Sequence, residues 1–228
     1  MWEELKVYRP LDKKDINSIF KKFGQEVKKR LTDHSLEQTN SIIKIYRLRN
    51  NIEQGIFIEK HVKPDNLQVR VSLKPVDFYK KHKFTMVNII ALGDIMGQYR
   101  KSFYPLTEEW QDLAIYLSER IKNEIEKYFD KYDTYEKIIR QRAEIEKKDL
   151  GLNNNELLIY AAIKTGNFDL LEKYIDKKLQ MPTMQITRAE FLKPDKNEIN
   201  EVEFLNKIRD FGKQRKLQEI DDLIKSLD

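Results

Sequence analysis

Leu67-Gln68-Val69-Arg70-Val71-Ser72-Leu73 alternates apolar and polar residues without a break. A period of two marks a strand with one covered face, placing Leu67, Val69, Val71 and Leu73 on one side and Gln68, Arg70 and Ser72 on the other. Three neighbouring segments also read as strands. Residues 41–48 hold Ile42, Ile43, Ile45, Tyr46 and Leu48 and run into the turn Asn50-Asn51; residues 55–62 hold Ile56, Phe57, Ile58 and Val62 and run into Pro64-Asp65-Asn66. Residues 84–92 are almost continuously apolar, which predicts a central strand covered on both faces. The links are short, and parallel neighbours need crossovers of about a dozen residues or more, so an antiparallel meander is expected.

Helical periodicity flanks this region. Over residues 12–31, Ile16, Ile19, Phe20, Phe23, Val27 and Leu31 recur at steps of three and four, with Asp12 or Asp15 as the cap and Gly24 as a weak point. Lys13, Lys14, Lys21, Lys22, Lys28 and Lys29 cover the remaining surface as a solvated face. A second long helix starts at Thr107-Glu108-Glu109-Trp110, with Thr107 as the expected N-cap. Its stripe is Trp110, Leu113, Ala114, Leu117, Ile121, Ile125 and Phe129. These two helices are expected to lie side by side on one face of the sheet. Residues 132–147 read as one further, mostly charged helix.

The chain then changes character. Residues 156–165 and 168–178 read as two short helices joined at Gly166-Asn167, with Gly166 as the C-cap. The run from Leu157-Leu158-Ile159-Tyr160-Ala161-Ala162 to Phe168-Asp169-Leu170-Leu171 resembles the helix pair of one ankyrin-type repeat. No second copy follows at a spacing of about 33 residues, and a lone repeat does not bury its own face. A helical hairpin docked on the rest is therefore expected. Residues 180–200, with Pro182 and Pro194, read as an extended linker, and residues 201–227 as two helices broken at Gly212. The expected fold is α+β: an antiparallel four-stranded sheet packed by two long helices (residues 1–149), followed by a helical C-terminal extension (150–228).

Composition narrows the function. Eleven Phe, eleven Tyr and two Trp supply a core despite 36% charged residues, which argues against disorder. No cysteine is present, so disulfides, thiolate metal sites and cysteine nucleophiles are excluded. The start, Met1-Trp2-Glu3-Glu4-Leu5-Lys6, lacks a signal-peptide pattern, and no segment approaches the roughly 20 apolar residues of a membrane-spanning helix. A cytoplasmic protein without membrane association is expected. The abundance of Lys, Ile, Asn and Glu fits an AT-rich bacterial genome. Residues 1–106 carry 21 Lys and Arg against 12 Asp and Glu, whereas residues 107–228 carry 22 against 26. This asymmetry fits either an anionic partner for the first half or attraction between the halves, the second being the simpler.

Catalytic signatures are missing. His34, His61 and His82 stand far apart without metal-site spacing, and no phosphate loop, dinucleotide fingerprint or nucleophile elbow is present. Asp94 in Gly93-Asp94-Ile95-Met96-Gly97 reads as a turn residue. No enzyme activity and no cofactor or metal is therefore expected. The candidate binding residues are basic and aromatic: Arg70 on the polar side of its strand, Tyr79, Lys80, Lys81 and Lys83 in the loop 78–83, and Tyr99 and Arg100 further on. Aromatics for stacking beside cations for phosphates are what single-stranded nucleic-acid binders use.

The order helix, antiparallel strands, long Trp-bearing helix resembles a family of small bacterial α+β domains of unknown function. These are often encoded beside polymorphic toxins and suspected as immunity proteins. Phe20-Lys21-Lys22-Phe23-Gly24, the segment 84–92 and Tyr128-Phe129-Asp130-Lys131-Tyr132 carry the resemblance, which spans residues 12–140. It implies a non-enzymatic interaction protein that binds another protein, a toxin among the candidates. The alternative is a single-stranded nucleic-acid-binding protein using a basic-aromatic sheet face. Oligomeric state is not set by the sequence.

Overall fold

A computed structural model describes residues 9–61, 65–76, 89–91, 103–147, 154–180 and 201–226. The chain divides into two compact units, residues 1–74 with 88–133 and residues 75–87 with 134–228. The α+β class and the antiparallel sheet are as expected from the alternating strands.

Among the described residues of the first unit, six strands form one sheet: β1 (Ser35–Gln38), β2 (Ile42–Arg49), β3 (Ile52–Lys60), β4 (Asn66–Pro75), β5 (Ile89–Ala91) and β6 (Phe103–Pro105). They are ordered β1-β2-β3-β4-β5, with β6 also paired to β4. Asn66 to Gln68 of β4 pair with β6, and Arg70 to Ser72 pair with β5. Two of these strands were not expected. β1 has a single apolar residue and β6 ends in proline after two residues, so neither carries a period that can be read. The central place expected for residues 84–92 belongs instead to β3 and β4. Only Ile89–Ala91 of that segment are described, and they flank β4 on the outer side.

Asn50 and Asn51 both take positive φ, 49° and 62°, and close the β2–β3 hairpin with Arg49 opposite Ile52. A two-residue hairpin of this type needs left-handed backbone at both positions, which asparagine tolerates. The register then puts Ile43, Ile45 and Arg47 of β2 opposite Ile58, Ile56 and Gln54 of β3. These residues, with Leu67, Val69, Val71 and Leu73 of β4, form the buried inner face.

Helix α1 (Ile16–Arg30) covers that face with Ile16, Phe20, Phe23 and Val27. Asp15 stands at its cap position but makes no side-chain capping bond. Gly24 has a role beyond its low helix propensity: a Cβ there would lie 3.0 Å from both Gln38 Oε1 and Ile43 Cδ1, so its absence lets α1 settle onto the sheet. Gln38 of β1 donates to the Phe20 carbonyl at 3.1 Å across the same contact.

The second long helix packs beside α1. It runs as α2 (Trp110–Arg120), a π-turn (Ile121–Ile125) and α3 (Glu126–Lys131). Thr107 is not its N-cap; the Thr107 hydroxyl accepts from the Glu109 amide at 3.3 Å, and the helix begins at Trp110. The π-turn follows from the spacing of the stripe. Leu113, Leu117, Ile121, Ile125 and Phe129 recur every four residues, and all are fully buried. In an α-helix each such step overshoots a full turn by about 40°, accumulating about 160° between Leu113 and Phe129. A π-turn accommodates one extra residue and removes about 100° of that drift.

The second unit is helical. Residues 132–147, expected as one helix, form α4 (Tyr135–Arg140) and α5 (Arg142–Lys147), broken at Gln141. Thr134 caps α4 by accepting from the Lys137 amide at 3.2 Å. α6 (Asn154–Lys164) and α7 (Phe168–Gln180) form the expected hairpin. Leu157 to Ile163 are all buried, because α6 is flanked by α4, α5 and α7. Of the expected linker 180–200, Gln180 instead ends α7, and residues 181–200 lie outside the described residues. α8 (Glu201–Lys213) and α9 (Leu217–Lys225) follow, with α8 against α7.

These last two helices repeat the hairpin before them. The amides of Thr165, Gly166, Asn167 and Leu171 bond to the carbonyls of Ala161, Ile163, Ala162 and Asn167. At a constant offset, Gln214, Arg215, Lys216 and Ile220 bond to Asp210, Gly212, Phe211 and Lys216. Both turns are Schellman-type caps with a left-handed residue, Gly166 at φ 62° and Arg215 at φ 53°. The break therefore falls at Arg215, not at Gly212. Gly212 is inside α8, where a Cβ would meet Leu171 Cδ2 at 3.0 Å. Asp176–Arg209 (3.0 Å) and Glu172–Lys213 (3.1 Å) join the two hairpins.

Two outcomes test these assignments. Deleting exposed Asn123 should shift stability by less than about 1 kcal/mol, because the π-turn closes to an α-turn, whereas deleting exposed Gln25 rotates half of α1 by about 100° and should cost more than about 3 kcal/mol in urea unfolding. Arg215→Gly should raise stability by about 0.5–1 kcal/mol by relieving left-handed strain, and Gly166→Ala should lower it by a similar amount.

Candidate functional site

Two features of the first unit carry chemistry: the outer face of the sheet and a partly buried ring of charges on its inner face. The outer face is formed by the alternate residues of the strands. β1 contributes Glu37, β2 contributes Ile42, Lys44, Tyr46 and Leu48, β3 contributes Glu53, Phe57 and Glu59, and β4 contributes Gln68, Arg70, Ser72 and Lys74. Ile42 and Leu48 are exposed, at 38% and 59%, as is Phe103, which lies opposite Gln68. Gly55 lets Ser72 and Phe57 close over the strand: a Cβ there would sit 2.6 Å from Ser72 Oγ.

Lys44 and Arg70, two of the cations on this face, are held by carboxylates. Lys44 Nζ lies 3.0 Å from Glu53 and 3.7 Å from Glu37, and 4.3 Å above the Tyr46 ring. A hydrogen bond to Glu37, together with that carboxylate's charge, pushes the Tyr46 phenol above its ordinary range. Arg70 is paired with Glu59 on the adjacent strand and is only 27% exposed. It is therefore engaged within the sheet. Of the predicted binding residues, Arg70 alone is described; Tyr79, Lys80, Lys81, Lys83, Tyr99 and Arg100 lie outside the described residues, as do His82 and Asp94.

The inner face holds a cluster that sequence reasoning missed. Arg47, opposite Gln54, points into the core beneath the long helix. Its Nε donates to Gln54 Oε1 at 2.7 Å, and Gln54 Nε2 donates to the Phe129 carbonyl at 3.4 Å. One guanidinium nitrogen reaches Asp33 Oδ2 at 3.0 Å and the other reaches Glu126 Oε2. The free oxygens of both carboxylates face one imidazole: His34 Nδ1 is 2.9 Å from Asp33 Oδ1, and Nε2 is 3.4 Å from Glu126 Oε1. His34 is 1% exposed. Burial pushes the imidazole below its ordinary value, against the two carboxylates and in the same direction as Arg47. Burial pushes Asp33 up, but the Arg47 hydrogen bond and the neighbouring charges outweigh it and hold the carboxyl below its ordinary range.

A signal for this cluster was present in the strand pattern. Period two places Arg47 with Ile43 and Ile45, and Gln54 with Ile52 and Ile56, so polar groups interrupt an apolar face. Their partner Glu126 is distant in sequence and was not legible. Among the described residues, no group of three or more metal-ligating side chains is placed to hold an ion. No helix among them is long and apolar enough to cross a membrane. Comparison with protein-family models, curated proteins and solved structures gave no match.

Removing Glu59 leaves the half-buried Arg70 without its partner. Glu59→Ala should lower stability by about 1–3 kcal/mol in urea unfolding, while Glu37→Ala, at the exposed strand edge, should change it by less than about 0.5 kcal/mol.

Proposed function

We propose that this protein is a non-enzymatic binder of another protein and that the outer face of its sheet is the contact surface. The resemblance read from the sequence makes a bacterial toxin the partner class. The observation that carries this reading is the pairing of charge on that face. Lys44 is bonded between two carboxylates and Arg70 to a third. A single-stranded nucleic acid needs cations available for phosphates beside its stacking aromatics. A face whose Lys44 and Arg70 are already paired, with half-buried Tyr46 and Phe57 and exposed Ile42 and Leu48, instead suits a protein surface that buries aromatic and aliphatic anchors within a polar rim.

The reading is tested by affinity capture from the native host with the whole protein as bait, alongside a Leu48→Glu, Tyr46→Ala double variant. A specific protein recovered by the wild type and reduced at least about tenfold with the variant supports it, since anchor losses cost about 2 kcal/mol each. Binding of a single-stranded oligonucleotide that weakens steeply with salt, with no protein recovered, overturns it in favour of the alternative.

A further inference from the structure

Asp33, His34, Arg47 and Glu126 form a closed cycle in which each carboxylate gives one oxygen to the imidazole and the other to the guanidinium. We propose that His34 is a proton-operated latch between the connection leading into β1 and the long helix at its π-turn.

The geometry fixes what each protonation state does. With one ring proton on Nδ1, His34 donates to Asp33, and the lone pair on Nε2 then faces the Glu126 Oε1 oxygen at 3.4 Å. Two acceptors confront each other, and Nε2, fully enclosed, has no hydrogen-bond partner among the described residues. Glu126 is then held from one side, by Arg47. Adding a proton to Nε2 turns the same 3.4 Å contact into one between opposite charges. The cycle becomes four alternating charges, imidazolium, Asp33, guanidinium and Glu126, and Glu126 is held from both sides.

Glu126 is the first residue after the π-turn. Single π-turns inside α-helices occur frequently at functional sites, and the latch acts at this one. The charged groups acting on the ring come from every element around it: Asp33 from its own connection, Arg47 from β2 and Glu126 from α3. Arg47 and burial oppose protonation, while both carboxylates favour it. Because the folded imidazole titrates below its unfolded value, its contribution to stability is complete above the unfolded pKa. That contribution is lost as pH falls through the folded pKa. Acid therefore fastens the π-turn locally while reducing overall stability.

Two measurements on the wild type decide the proposal. An NMR titration of the three histidine rings should show His34 titrating below about 6.5, and amide exchange at residues 121–125, corrected for intrinsic pH dependence, should slow several-fold as His34 becomes charged. In Glu126→Gln the His34 midpoint should fall by about half a pH unit or more, because a carboxylate that favours the imidazolium is gone. His34→Asn should abolish the pH dependence of exchange, and a variant that fails to fold leaves the wild-type criteria decisive. A His34 midpoint at or above about 6.5, or exchange at the π-turn that ignores its titration, overturns the proposal.

Discussion

Burial of the Arg47 guanidinium is the constraint around which the first unit is arranged. A cation that is 8% exposed tolerates this position only if its donors are satisfied, and removing a partner from such a group leaves an uncompensated buried charge. Its partners come from the α1–β1 connection, from β3 and from the far end of the long helix. The Phe129 ring lies 5.8 Å from the guanidinium carbon. One side chain thus ties together three regions that are well separated in sequence. The apolar core supplies most of the burial energy, but it is non-directional; the Arg47 contacts are directional and define where the helix end sits.

The two faces of the sheet solve different problems. Inside, aliphatic residues in register with one another cover the buried His34 and Arg47 of the charged cluster. Outside, Lys44 and Arg70 pair with Glu37, Glu53 and Glu59 across strands, with aromatic and aliphatic side chains between them. Cations already held by carboxylates attract a polyanion less than free ones do.

Periodicity made the longest elements legible. The alternation of Leu67 to Leu73, the Asn50-Asn51 turn and the stripe of α1 each have a local cause, so each could be read without tertiary information. The elements that escaped have no local cause. β1 and β6 exist because β2 and β4 offer them backbone partners. The π-turn was written in the four-residue spacing of Leu113 to Phe129, but that spacing also reads as an ordinary helix unless the drift is counted. The second helical hairpin was hidden because its resemblance to the first lies in backbone hydrogen bonds. Arg215 replaces Gly166, and larger side chains replace the alanines. In the charged cluster, the anomaly of Arg47 among isoleucines was readable, whereas its pairing with Glu126 depends on folding.

The pairing of β6 with β4, and of Thr107 with Pro10, has a consequence for how the chain is made. The first unit cannot close its sheet, or cover it with the long helix, until residues beyond 103 have left the ribosome. Its contacts span long stretches of chain, and ordering such loops precedes any reward from packing. The hairpins α6–α7 and α8–α9 need only their immediate neighbours in sequence, a topology associated with fast folding. The unit made before the hairpins is therefore the one whose topology closes slowly, and its unpaired strands stay open to wrong partners for longer.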